Sequence, residues 1–361
     1  MFLSFIIPAF NVEKYISKTL ESLLAQTDKD FEVIVIDDGS TDGTRNVVTR
    51  TLSKSGFRHY RVISEENRGA SFARNVGIKN AEGEYILFLD GDDYVAPSLV
   101  EEVKKKAEAS FSQIVFWKFR VVSEEGQNFS RRQPSFDKLS PERIYRGEEI
   151  LRSILIDKNA WICIGSAAFR KDFVLANSLF FTENCRYGED PEFTLKALCL
   201  ASRIAFVNKT LLFYVQRRES ISRTISLDLL QFPIALERVE EFIKNNRFWN
   251  QEEFDAFLKA VLEYRLISFC RIFALISCSA NRLRFKEVLQ EIDKAYPGLF
   301  CRAFLEARGR KDFVSKLYLE DKIGVRLFSF SPVLFFYFSK LYLPLRDAVK
   351  SIIASYSSGR R

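Results

Sequence analysis

The first 120 residues alternate between two hydrophobic periods, and that alternation admits few folds. "FLSFIIPAF" and "FEVIVID" are near-continuous apolar runs of strand length, the pattern of strands covered on both faces. Between them, "EKYISKTLESLLAQ" spaces Tyr15, Ile16, Leu20, Leu23 and Leu24 along one helical face. "STDGTRNVVTRTL" opens on Ser/Thr/Asp capping chemistry and continues as a helix. "HYRVIS" and "YILFLD" read as further strands, with "ASFARNVGIKNA" as the helix that joins them. Asp-Tyr-Val-Ala-Pro then starts the helix "SLVEEVKKKAEA", and "QIVFWKF" is a strand again. Strands and helices in this order predict a mostly parallel α/β sheet with right-handed crossovers.

Beyond residue 120 the texture changes. "SEEGQNFSRRQPSFDKLSPERIYRG" reads as an exposed irregular loop, mixed strands and helices run to "LLFYVQRRESISR", and helical spacing dominates from about Leu227. A chain of 361 residues with 47% apolar content supports one large or two ordinary domains. Six scattered cysteines without a C-x-x-C pair, and the single His59, exclude most zinc-site patterns and fit a reducing compartment. "MFLSFIIPAFN" lacks a basic leader and reads as a first strand, and no apolar run reaches the ~18 residues of a spanning helix. A cytoplasmic protein is the expectation, with no nucleic-acid partner. Charge is unevenly placed: residues 301–361 hold twelve Lys/Arg against five Asp/Glu, which leaves the first 300 residues balanced at 42 of each.

In an open parallel sheet, ligands bind beyond the carboxyl ends of the strands. Those ends here carry Asn11, "IDDGSTDGT", "SEENRGASFARN" and "LDGDD", so polar residues crowd one edge. Asp90 and Asp92 offer hard oxygen ligands to Mg²⁺ or Mn²⁺; the structural alternative is an acidic turn capping the next helix, with Asp93 as the capping candidate. Left alone, the three carboxylates would repel one another and hold their protons. Asp37 and Asp38 precede Gly39, either as acceptors for a base or ribose or as part of a capped turn. Gly69 and Arg74 place a turn and a guanidinium at a helix start, a combination that holds phosphate. Glu189 and Asp190 precede a helix whose first residue is expected at Pro191. They either favour its macrodipole or supply a general base. Arg217 and Arg218 follow the strand "LLFYV" as a solvated loop or as a cationic clamp on a leaving group.

Four blocks in order, "SFIIPAFN", "EVIVIDDGSTDGT", "ENRGASFARNVGI" with "GEYILFLDGDDYV", and "YGEDPEF", resemble the family 2 glycosyltransferases over about residues 1–225. The resemblance implies a GT-A fold, a nucleotide-sugar donor, most often a UDP-sugar, a divalent Mn²⁺ or Mg²⁺, and inversion at the anomeric carbon. By this resemblance Pro8 and Phe10 border the uracil, with Phe10 standing where Tyr is more usual, and Glu13 follows as the acidic residue. Asp38 resembles the carboxylate that reads the base, Arg74 the arginine near the nucleotide, and Asp90 and Asp92 the D-x-D pair, with Asp92 the direct metal ligand. Asp190 resembles the catalytic base, with Glu189 beside it. The family often shows Tyr-Arg-x-His or Tyr-Arg-x-Arg before "SIS"; here Tyr214-Val215-Gln216-Arg217 lacks the first Arg, which leaves the clamp open between Arg217 and Arg218. The Q-x-x-R-W signature of processive synthases is missing, so addition of a single sugar is expected.

The expected organisation is a catalytic domain over 1–225, with a nucleotide-sugar half at 1–120 and an acceptor half at 121–225, followed by a helical region over 226–361. "GVRLFSFSPVLFFYFSKLYLPLRDAVKSIIASYSSGRR" joins aromatic runs to Lys and Arg, as in helices that lie on an anionic membrane surface. Such a location suits transfer to a glycan or lipid-linked acceptor in polysaccharide assembly; the alternative is a helix pair that covers the catalytic core or a partner subunit. Two other functions compete: a nucleotidyltransferase that makes nucleotide sugars, and a non-catalytic nucleotide-binding module. The first would show a Gly-rich basic N-terminal loop, which "PAFNVEKY" lacks, and the second would leave Glu189 and Asp190 without a purpose.

Overall fold

The computed structural model describes residues 1–127, 136–217, 225–246, 249–279, 283–309 and 319–344. Arg218 and residues 345–361 of the basic tail lie outside the described residues. The alternating first part folds as β1 (Leu3–Ala9), α1 (Ile16–Leu24), β2 (Phe31–Asp38), α2 (Thr44–Lys54), β3 (Tyr60–Glu65), α3 (Ala70–Asn80), β4 (Tyr85–Phe88), β5 (Tyr94–Val95), α4 (Leu99–Ser110) and β6 (Ile114–Val122). The middle part adds β7 (Ile144–Tyr145), α5 (Gly147–Leu151), β8 (Ala167–Arg170), α6 (Lys171–Ala176), α7 (Glu189–Leu200) and β9 (Ile204–Val215).

Among the described residues, nine strands form one sheet in the order β3-β2-β1-β4-β8-β6-β9-β5, with β7 also against β9. The pairs of β1 with β2 and β4, of β2 with β3, and of β6 with β9 are parallel. β8 runs antiparallel between β4 and β6, so β6 and β9 point the same way as β1 and β4. The carboxyl ends of six strands therefore share one edge. The turn after β4 and the residues after β9 meet there although 122 positions separate Asp93 from Val215, whose N–H donates to Asp93 Oδ1 at 2.7 Å.

Both faces of the sheet are covered, as the unbroken apolar strands require. Phe5 and Ile7 of β1 pack into one core with α1, α2 and α4, whereas Ile6 faces the opposite core with α3, α6 and α7. That second core continues through Leu236, Val239 and Ile243 of α8 (Gln231–Asn246) and Phe257 and Val261 of α9 (Gln251–Ser279). A third core gathers Phe269 and Phe273 of α9 with α10 (Phe285–Ala295), α11 (Leu299–Arg308), α12 (Leu319–Phe330) and a helix over residues 332–344.

Two local expectations are corrected. Tyr94 and Val95 do not begin a helix; they form β5 against Leu212 and Phe213 of β9, and α4 begins only at Leu99. Helix α7 begins at Glu189, two residues before Pro191. The missing N–H of a proline is harmless within a first turn, where it would lack an intrahelical partner in any case.

Candidate active site

Strand β4 ends in Leu89-Asp90-Gly91-Asp92-Asp93, and the turn closes through a hydrogen bond from Asp93 N–H to the Asp90 carbonyl at 3.0 Å. Asp93 is buried and spends Oδ1 on Val215 N–H, so it ties β9 to the turn and does not cap α4. Burial, then Asp92 and Asp90, push its carboxyl well above the usual range. One carboxylate oxygen each from Asp90, Asp92 and Asp93 lies within 4.8 Å of the others, a set of hard donors suited to Mn²⁺ or Mg²⁺. Burial first and Asp90 second push Asp92 up to about 6, against the pull of Arg217. A cation among these partly buried carboxylates would relieve that repulsion.

Two guanidinium groups partly supply that cation. Arg217, just after β9, brings Nε to 2.6 Å from Asp92 Oδ2 and lies over the Tyr15 ring at 4.7 Å. Arg74, on α3, is buried. Its Nη2 donates to Asp90 Oδ1 at 2.8 Å, and its Nη1 lies 3.3 Å from Glu189 Oε1 and 2.9 Å from Asp190 Oδ1. Arg74 is thus no open phosphate holder; it joins the carboxylates after β4 to the pair opening α7. Three carboxylates around one buried guanidinium raise its pKa despite burial, so it stays charged.

The pair at the head of α7 is divided by environment. Glu189 is largely buried, and burial with Asp190 raises it to about 8 against Arg74. The Asp190 side chain remains 32% exposed beside the acidic turn, and burial with Asp90 raises it to about 6, again against Arg74. Gly188 makes the turn possible: its φ is +91°, and a Cβ there would meet Ala235 Cβ at 2.8 Å and Phe232 Cα at 2.9 Å. Helix α8 therefore presses on the residue before the pair. Arg238 of α8 also chelates buried Glu192, one turn further along α7, with contacts of 2.9 and 2.5 Å to Oε2. Burial would raise the Glu192 carboxyl, but hydrogen bonds from Arg238 and Lys196 outweigh it and hold it below its ordinary value.

The remaining expected residues line the same sheet edge at β1 and β2. The Pro8 carbonyl approaches Gly91, where a Cβ would sit 3.5 Å from it, and Phe10 is 44% exposed. Asn11 adopts a left-handed φ of 51° and accepts Thr41 N–H at 2.9 Å, binding the two loops together. Glu13 accepts Gly43 N–H at 3.0 Å. Asp38 is buried, and its two oxygens accept the N–H groups of Arg68 and Gly69, both at 2.8 Å. The anion at the entrance to α3 is thus Asp38 itself, which fixes the helix that carries Arg74. Asp37 accepts Ser40 N–H at 3.1 Å, the turn role. The structure thus brings Asp90, Asp92, Arg74, Glu189, Asp190 and Arg217 into one constellation, while Glu13 and Asp38 are engaged in the loops beside it. Tyr15 and Arg238 join the site without a motif that marks them, and Glu192, inside the block "YGEDPEF", joins it beside the expected pair.

The parallel sheet, its acidic turn and the facing carboxylate pair define a GT-A fold. The family described as "Glycosyl transferase family 2" matches residues 4–178, and the chain belongs to it. Poly(ribitol-phosphate) beta-N-acetylglucosaminyltransferase TarS of Staphylococcus aureus is 31% identical over 60% of this chain and 36% of TarS. A crystal structure of TarS 1-349 with UDP-GlcNAc superposes with a TM-score of 0.69 at 25% identity, covering 92% of this chain and 91% of that one. EpsJ of Bacillus subtilis, an uncharacterized glycosyltransferase, is 31% identical over 61% of this chain and 62% of its own. The chain therefore spans less than two thirds of the length of either relative. Cholesterol galactosyltransferase of Borreliella burgdorferi is 27% identical over 93% of this chain and 94% of its own.

Proposed function

We propose that the protein moves one sugar from a nucleotide-sugar donor to a hydroxyl of a glycan or lipid-linked acceptor, with inversion at the anomeric carbon. The observation that carries this reading is the single ion-pair chain that joins Asp90 to Asp190 through Arg74. A charge sink for the donor and a carboxylate for the acceptor then stand together at one edge of the sheet, as direct displacement requires. Similarity to TarS, solved with UDP-GlcNAc, favours a UDP-sugar as the donor. Phe10 and Pro8 border the base, and Asp38 keeps lone pairs for it while anchoring the loop before α3. Arg217 is the diphosphate clamp among the described residues; its guanidinium already stands beside Asp92.

Asp92 and Asp90 would hold Mn²⁺ or Mg²⁺, which when bound supplies Lewis-acid stabilisation to a departing diphosphate. Asp190, ionised above about pH 6, takes the proton of the acceptor hydroxyl. Glu189 keeps its proton to about pH 8, so the pair does not present two adjacent negative charges to the incoming hydroxyl. Arg74 holds both carboxyls in place and fixes their distance from the acidic turn. Cholesterol galactosyltransferase, similar along nearly its whole length, favours an acceptor presented at a membrane.

Release of UDP from UDP-sugars with Mn²⁺, dependent on a saccharide acceptor, is the expected result. Release of pyrophosphate from UTP and a sugar 1-phosphate would instead support a nucleotidyltransferase, and turnover of neither substrate set a binding module.

A further inference from the structure

The helix over residues 332–344 is apolar on nearly its whole circumference. Phe335 and Phe336 are buried in the third core, and Gly324 of α12 lies against Phe335. The opposite side carries Val333, Leu334, Tyr337, Phe338, Leu341 and Tyr342, all exposed, with Leu341 at 70%. Positions spaced at i, i+1, i+4, i+5, i+8 and i+9 form one continuous stripe about half a turn wide. Phe330, at the end of α12 and 82% exposed, stands just before it in the chain. A helix apolar on all sides belongs in a core or a bilayer, and here only half of it has found a core. No charge and no main-chain edge interrupts the stripe, whereas specific protein interfaces carry roughly one hydrogen bond per 100–200 Å².

Charge selects the occupant. From Lys322 to Arg346 the chain holds four cations, Lys322, Arg326, Lys340 and Arg346, and no carboxylate. Lys340 lies at the border between the two faces, its ammonium 4.7 Å from the Phe336 ring. The described helix ends at residue 344, where the chain continues into 17 residues that hold Arg346, Lys350, Arg360 and Arg361 against Asp347. Aromatic residues with a polar tip and aliphatic side chains, in a stretch of sequence rich in cations, are what the headgroup layer of an anionic membrane accepts. Among the described residues no helix is long and apolar enough to cross a membrane, so this face would lie on the lipid.

We infer that the outward face of the 332–344 helix docks the protein on an anionic lipid bilayer. The inference rests on the proposed function only in supplying a lipid-linked acceptor with a place to be met; the docking itself needs no catalysis. The test is co-sedimentation of the full chain with phosphatidylcholine vesicles, with and without phosphatidylglycerol. Binding to the anionic vesicles, weakened on the neutral ones and reduced by high salt, is expected. Leu341→Asp and, separately, Tyr337→Glu should each weaken it about tenfold or more, since each removes an apolar anchor and adds a charge that the lipid repels. Their melting points and Mn²⁺-dependent UDP release in solution should match the unsubstituted protein, which separates failure of docking from failure of the sugar-transfer reading. Binding that is absent, indifferent to phosphatidylglycerol, or untouched by both substitutions would overturn the inference. So would a concentration-dependent dimer in solution that the same substitutions dissolve, since a second copy would then cover the stripe.

Discussion

Replacing Arg74 with methionine keeps much of its volume but removes the buried cation from among Asp90, Glu189 and Asp190. Breaking a buried ion pair on one side costs about 3–5 kcal/mol, because the partners stay buried without compensation. The cost here should depend on pH with a definite sign. Glu189 is already held near 8 in the folded protein, far above its unfolded value of 4.5, first by burial and then by Asp190, with Arg74 opposing. A carboxyl raised in this way favours the folded state below its unfolded pKa, and that contribution fades as pH rises through about 8. Without Arg74 nothing opposes burial, so the window extends to higher pH and the protein must hold protons that solvent would take. Each pH unit over which one carboxyl is held protonated costs about 1.4 kcal/mol. Asp190, raised only to about 6 while Arg74 opposes its burial, is the carboxyl that the variant alone keeps protonated between about pH 6 and 8, so the deficit of Arg74→Met against the unsubstituted protein should grow by roughly 3 kcal/mol over those two units. Urea denaturation of both proteins at the two pH values measures it, with Arg74→Lys as a control that keeps the charge and loses the fork. A deficit below about 1 kcal/mol, or one that does not change with pH, would show that the guanidinium does not compensate these carboxylates.

Asp190→Asn should retain the donor-induced rise in melting point yet lose about 10²–10⁴-fold in turnover, and normal transfer would reject the base assignment. In the unsubstituted protein, turnover should fall as pH drops through about 6, an acid limb that belongs to the coupled Glu189/Asp190 pair. Gly188→Ala should destabilise by about 2 kcal/mol or more, since it combines a left-handed backbone with a clash on α8; an unchanged melting point would show that α8 does not press on this turn. Arg238→Met should lower turnover on the order of tenfold with donor binding preserved, because it frees the turn of α7 next to the base. Turnover that does not change would show that α8 does not position that helix.

What the sequence disclosed divides along the range of the interactions involved. The central strands, the helices beside them and the acidic strand ends are written in runs of five to twelve residues, where period and turn chemistry act locally. The blocks that resemble family 2 glycosyltransferases mark the same positions. Partners were not legible. Arg74 carries no local sign that it will pair with Glu189, 115 positions away, and Arg238 reaches Glu192 across 46. Nothing local to Asp38 shows that its two oxygens also take the amides of Arg68 and Gly69, 30 and 31 positions away. The reading of Tyr94 and Val95 as a helix start failed because a two-residue edge strand has no period to detect; only its partner β9 defines it. Pro191 misplaced the start of α7, because proline also fits a position inside the first turn.

The direct test of the site is the melting point of the protein with UDP, in the presence and absence of Mn²⁺, for the unsubstituted chain and for Asp92→Ala. The account predicts that Mn²⁺ and UDP together raise the unsubstituted protein's melting point more than either does alone, and that Asp92→Ala, still folded, loses that joint increment. A joint increment of the same size in Asp92→Ala would contradict it, and would place the metal and the diphosphate away from the end of β4.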